Sequence, residues 1–175
     1  MKLSKGEICI VKKVYVAFCA LALAALSIFT IGCGKNNGDE QSLVPNPIHA
    51  VEDSEALKAQ LGYTVVAPAE AEEAAYSYIE GEGIGQVSFK KGGISYMYRV
   101  KSAEAAEDIS GVYASWTETV DAEYEGLALT LKYVENAEGV VYWYDAEAGV
   151  TYCVSVDGGA SREALIAAAA LVTGR

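Results

Sequence analysis

From residue 75 onward the chain alternates between apolar and polar positions. Ile94, Tyr96, Tyr98 and Val100 fall on one side of an extended segment, with Ser95, Met97, Arg99 and Lys101 on the other. Leu127, Leu129, Leu131 and Tyr133 oppose Ala128, Thr130, Lys132 and Val134, and Val150, Tyr152, Val154 and Val156 oppose Thr151, Cys153, Ser155 and Asp157. Successive side chains of a strand point to opposite faces, so a period of two is what a half-buried antiparallel strand needs. The same reading extends to 75–80, 84–90, 113–120 and 140–145. Turn residues separate these runs: Gly81 to Gly85, Lys91-Gly92-Gly93, Asn136 to Gly139, and Asp145 to Gly149.

Two segments carry a helical period instead. In 51–62, Asp53 or Ser54 can cap the start, Leu57 and Leu61 share a face, and Gly62 can end the helix. In 161–172, Ser161 is the candidate N-cap, Glu163 sits in the first turn, and Leu165, Ala169 and Val172 form one stripe. The alanines of that segment have the best helix propensity and permit close approach to a sheet. The pattern predicts an α+β fold: an antiparallel β-meander of about six to seven strands, with an N-terminal and a C-terminal helix packed on one face.

The start of the chain follows other rules. Lys2, Lys5, Lys12 and Lys13 precede a charge-free run from 14 to 29, and Thr30-Ile31-Gly32-Cys33 follows. A basic region, an apolar region and a small residue at the cut are the parts of a secretory signal. The last four residues resemble a bacterial lipobox, with Thr30 and Ile31 where the usual pattern has Leu and a small residue. The resemblance implies cleavage between Gly32 and Cys33 and acylation of Cys33. The predicted organisation is a signal peptide at 1–32, an acylated Cys33 with a flexible polar tether at 33–45, and a single domain at 46–175. An uncleaved transmembrane anchor is the alternative, since 14–32 approaches the ~20 residues needed to span a bilayer. Both place the domain outside the membrane and hold it there. Acylation anchors well because each buried CH₂ contributes ~0.8 kcal/mol and two chains make the attachment stable.

Composition narrows the function. The chain has 175 residues, 13 Lys+Arg and 24 Asp+Glu, the length of one domain with a charge that disfavours nucleic acid. Removing four basic residues and Glu7 with the signal leaves 9 and 23, a formal charge of −14. Cys9 and Cys19 leave as well and Cys33 is lipidated, so Cys153 has no partner for an internal disulfide. Its strand setting predicts a buried, inert thiol.

Candidate chemistry is sparse. The one imidazole, His49, lies beside the tether and reads as a solvated linker residue, which leaves no base for a Ser-His or Cys-His nucleophile. Ser88 to Lys91 has S-x-x-K spacing but sits on a strand pattern rather than at a helix start. Gly81 to Gly85 lacks the spacing and the following helix of a phosphate loop. Acidic residues cluster at Glu70, Glu72 and Glu73, at Glu104, Glu107 and Asp108, and at Asp121, Glu123 and Glu125. Asp121 to Gly126 imitates half of an EF-hand loop, with Lys132 at the twelfth position in place of Glu. No catalytic residue, metal or cofactor is predicted.

Aromatic content stands out. Eleven of the 12 Tyr and both Trp lie beyond the signal, with i, i+2 pairs at Tyr76/Tyr78, Tyr96/Tyr98 and Tyr142/Tyr144. Trp143 points opposite to Tyr142 and Tyr144. Cross-strand packing would account for such pairs at ~0.2–1 kcal/mol each. Tyr and Trp also offer apolar area with a polar handle, which makes Trp116, Tyr142, Trp143 and Tyr144 the candidate binding surface. A Tyr-rich acidic groove would suit a cationic peptide, a glycan or an apolar ligand. The sequence thus reads as a lipid-anchored, extracytoplasmic, non-catalytic binding module whose partner is a protein, peptide or glycan. Its alternatives are a carboxylate-based cell-envelope hydrolase and a structural or regulatory envelope-sensing lipoprotein.

Asn46-Pro47-Ile48, a helix ending Leu61-Gly62-Tyr63, Pro68, Tyr96-Met97-Tyr98-Arg99, and Glu107-Asp108-Ile109-Ser110-Gly111 with Tyr113 follow in that order. Together they resemble a group of small Gram-positive membrane lipoproteins that carry a domain of unknown function. The resemblance runs from about 46 to 172, and its most specific part is the Asp-Ile-Ser-Gly block after a Tyr-Arg strand. Ala69 to Ala75 stands where that group often has a Leu-Pro-x-Gly-Tyr turn. The resemblance implies a surface lipoprotein and brings no catalytic residues.

Overall fold

The chain divides at Pro45, and the computed structural model describes residues 46–174. Gly32 and Cys33, with the predicted signal and tether, lie outside the described residues. The described domain is one antiparallel sheet of eight strands with two helices. The strands are β1 (Ile48–Val51), β2 (Glu72–Ile79), β3 (Ile84–Lys91), β4 (Ile94–Ser102), β5 (Glu118–Tyr124), β6 (Leu127–Tyr133), β7 (Gly139–Asp145) and β8 (Val150–Val156). Helix α1 (Ser54–Leu61) lies between β1 and β2, and α2 (Arg162–Thr173) follows β8.

The expected six or seven strands in one meander are corrected to eight strands in two. The order β1-β2-β3-β4-β8-β7-β6-β5 joins two four-stranded meanders through antiparallel pairing of β4 with β8. β1 escaped the sequence pattern because it is four residues long and pairs with β2, from Ile48↔Ile79 to Val51↔Tyr76, across the whole of α1. The strand expected at 113–120 begins instead at Glu118, because 103–117 crosses the sheet as an irregular connection.

Local signals set the remaining boundaries. Helix α1 starts at Ser54 because Asp53 is extended and its Oδ1 accepts the Ala56 N–H at 2.8 Å; it stops at left-handed Gly62. Helix α2 starts after Ser161, whose Oγ accepts the Ala164 N–H at 3.1 Å. The helices therefore span 54–61 and 162–173 rather than 51–62 and 161–172. Lys91 pairs directly with Ile94, so Gly92-Gly93 closes a two-residue turn with φ of 59° and 81°. Two positive φ values in sequence are the type I′ geometry that suits strand twist and that glycine adopts without strain.

Register explains the core. One row crosses every strand: Val51, Tyr76, Val87, Tyr98, Val154, Val141, Leu131 and Val120. Both helices lie on this face. Leu57 and Leu61 of α1 meet Gly85, where an added Cβ would stand 2.7 Å from Leu61 Cδ1, and Leu165 of α2 meets Gly139. Leu57 and Leu165 are wholly buried, and each such side chain stabilises by ~1.5–3 kcal/mol.

The adjacent row is polar: Ser77, Gln86, Arg99, Cys153, Tyr142, Thr130 and Asp121. The connection 103–117 covers part of this second face. Ile109, Val112 and Trp116 pack there with Ile84, Val140, Cys153 and Tyr142.

Candidate functional site

On the helix-bearing face, the two helices leave a gap whose floor is aromatic. Tyr152 of β8 stands opposite Trp143 of β7, their rings nearly parallel with centroids 5.3 Å apart, and Tyr98 of β4 continues the row at 6.3 Å. The period of two aligns these rings on one face, and the β4·β8 pairing makes the row continuous. Thr64 and Val66 on the segment leaving α1 form one wall, and Val172 and Thr173 at the end of α2 form the other. Leu127 and Asp145 complete a cleft of about 260 Å³. Val66 is 53% exposed at the rim, whereas Trp143 is 2% exposed in the floor.

The chemistry of the cleft is set by one charge and several hydroxyls. Asp145 Oδ1 accepts the N–H groups of Glu147 at 2.9 Å and Ala148 at 3.1 Å, which closes the β7–β8 turn. Burial, then the Asp145 charge, raises the Tyr152 phenol above its ordinary value. Burial, then Tyr152, pushes Tyr98 well above it. Both phenols are therefore neutral at physiological pH. At the end of α2, Ala170 O accepts from Gly174 N at 3.3 Å and from Thr173 Oγ1 at 3.2 Å, and the last turn holds no basic residue.

Of the four aromatic residues expected to form one surface, the structure places only Trp143 in the cleft. Tyr142 and Tyr144 point to the second face, as alternation requires. Tyr142 packs there with Trp116 in the cluster under the 103–117 connection, and Lys132 Nζ lies 5.2 Å from its ring centroid. These four residues do not form one surface. Tyr98 and Tyr152 take the places beside Trp143. Their side was legible in the alternation, but their adjacency depends on which strands pair. Tyr113, wholly exposed on the connection, is a further aromatic residue outside the cleft.

His49 is corrected from linker to strand. It lies on β1, stacks on Tyr78 with centroids 5.1 Å apart, and shares a hydrogen bond between Nε2 and Glu80 Oε2 at 2.9 Å. Ser88 and Lys91 lie along β3, away from any helix start. Members of the first two acidic clusters are held in ion pairs: Glu73 with Lys90 at 2.6 Å, Glu107 with Lys101 at 3.0 Å, and Asp108 with Lys132 at 3.0 Å. Asp121 to Tyr124 is strand β5 and Glu125-Gly126 a tight turn, so the segment does not wrap as a cation-binding loop. Among the described residues, no three His, Cys, Asp or Glu side chains gather as a metal site would need. Cys153 is 1% exposed, and burial pushes its thiol far above the usual range, in keeping with an inert strand cysteine.

No family model, curated protein or solved structure matches the chain. Among the described residues, no helix is long and apolar enough to cross a membrane.

Proposed function

We propose that this protein is a lipid-anchored lipoprotein of the outer side of the cell membrane, and that its domain is a non-catalytic binding module which takes a ligand in the aromatic-floored cleft. The observation that carries this reading is the concave gap beside the ends of both helices, floored by the stacked Tyr98–Tyr152–Trp143 row, of which Tyr152 is the partly exposed member. Concave sites with apolar floors and few polar groups are where ligands bind. The hydrolase reading needs two carboxylates ~5–9 Å apart across a scissile bond. Among the described residues the cleft offers one, Asp145, and one oxygen of it is already engaged in the turn. The lipobox-like Thr30 to Cys33 supports the anchor, as does the likeness to small Gram-positive lipoproteins.

The test is native mass spectrometry of the full chain extracted in mild detergent. An added mass that is present in the wild type and absent from Val66→Trp, which fills the cleft from its exposed rim, supports the reading. An added mass that persists in the variant places the ligand elsewhere. For the anchor, Cys33→Ala should abolish palmitate incorporation and move the chain from the membrane fraction to the soluble one. Retention in the membrane would favour the uncleaved span.

A further inference from the structure

The cleft has one sign of charge. Among the described residues, Asp145 is the sole charged one lining it, and no Lys or Arg contributes to its walls. With Oδ1 committed to the Glu147 and Ala148 N–H groups, Oδ2 is the oxygen left for a ligand. Another wall is the C-terminal end of α2, a helix of 12 residues with no basic residue in its last turn. Helix C-termini carry up to roughly half a negative charge, lessened here where Ala170 O is already capped, and favour a cation nearby. A carboxylate and a helix C-terminus thus both border one gap, in a domain whose overall charge also draws cations.

We propose that the cleft selects an organic cation with a short aliphatic stem, an alkylguanidinium or alkylammonium, seated with its charge on Asp145, near the end of α2, and its stem against Val66, Leu127 and Tyr152. This rests on the cleft being the binding site. An anion meets repulsion from both walls. A purely apolar ligand strips water from Asp145 without replacing its partner, a costly exchange. A neutral sugar needs an open ring face to lie on, whereas Trp143 and Tyr98 are buried and Tyr152 is stacked with both. A cation with a methylene stem satisfies the carboxylate and covers the apolar wall together.

The experiment titrates the full chain in detergent with n-butylguanidinium, n-butylammonium and the uncharged isostere n-butylurea. Trp143 fluorescence is read in a Trp116→Phe background. The two cations should bind at least about tenfold more tightly than the urea, and binding should weaken as salt rises. Asp145→Asn keeps an oxygen for the turn and removes the charge, so it should cost about tenfold in cation affinity while its unfolding midpoint and the weak urea signal stay near wild type. Equal binding of the urea, or indifference to Asp145→Asn, overturns the cation proposal and leaves the cleft standing. If no probe moves Trp143 and the native ligand mass survives Val66→Trp, the cleft reading falls with it. An acetylated, amidated Gly-Arg-Gly peptide separates the sources. Tighter binding than n-butylguanidinium assigns the cation to a partner's basic side chain, and weaker binding assigns it to a free small molecule.

Discussion

Arg99 on β4 donates through Nη1 to Ser110 O at 2.6 Å, and through the same nitrogen to Ile109 O at 3.0 Å. Its Nε donates to Gln86 Oε1 at 2.9 Å, and Gln86 Nε2 donates onward to Ser77 Oγ at 2.9 Å. The guanidinium therefore ties the irregular connection to three adjacent strands at once. The Tyr-Arg strand and the Asp-Ile-Ser-Gly block, separate features of the sequence, are two halves of one clamp. Gly111 completes it: a Cβ there would stand 2.6 Å from Nη1, on a backbone already at φ +66°. The clamp holds the cover over Cys153, Val140 and Ile84.

Arg99→Ala should lower unfolding stability by about 3 kcal/mol, since hydrogen bonds to a charged group contribute ~1.5–3 kcal/mol and two buried carbonyls would lose their donor. Arg99→Lys should recover little of it, because one ammonium cannot span Gln86 and both carbonyls. Urea melts of the three proteins measure this. Equal midpoints would mean the connection is held by apolar packing alone.

Gly111→Ala should cost more in the wild type than in Arg99→Ala. In the first background the methyl displaces the guanidinium as well as straining the backbone; in the second only the left-handed strain of ~1–2 kcal/mol remains. A double-mutant cycle on the four proteins should show coupling of at least about 0.5 kcal/mol. Strict additivity would separate Gly111 from the clamp.

Asp108 should mark an acid limit. Burial would raise its pKa, but hydrogen bonds from the Ser110 hydroxyl, the Lys132 ammonium and the Ser110 N–H outweigh it and hold the carboxyl below its ordinary 3.8. A depressed folded value means that its stabilisation is fully present above the unfolded value and is lost as pH falls through the folded one. Stability measured from pH 6 to pH 2 should therefore decline below about pH 4 more steeply in the wild type than in Asp108→Asn. Parallel curves would assign the acid sensitivity to other carboxylates.

Cys153 should react with a thiol reagent only when the sheet opens. It is wholly enclosed between Arg99, Tyr142 and the connection, and burial keeps it protonated. The labelling rate at pH 8 should rise by orders of magnitude across the denaturant transition. In Arg99→Ala, loosening of the connection should raise the rate below that transition as well. Fast labelling of the native wild type would show that the cover opens freely.

Alternation placed Tyr98, Tyr152 and Trp143 on apolar sides and Arg99 and Cys153 on polar ones, and the caps at Asp53, Gly62 and Ser161 were readable from two or three neighbouring residues. The cleft was legible only through Trp143. Grouping it with Tyr142 and Tyr144 joined residues close in sequence that strand geometry sends to opposite faces. His49 looked like a linker because a four-residue edge strand has no pattern of its own. It becomes a strand by pairing with Tyr78, 29 positions away.

The sequence by itself determined both helices, the long strands and their two-sided character, because these depend on hydrogen bonds and side-chain directions within a few residues. Tertiary structure decided that β4 lies against β8, that 103–117 lies across the polar face, and that Val66 and Val172 flank the rings of three strands. Those contacts join residues tens of positions apart. Their stability comes from burying surfaces that no local pattern pairs, so only the folded chain brings the clamp and the cleft into being.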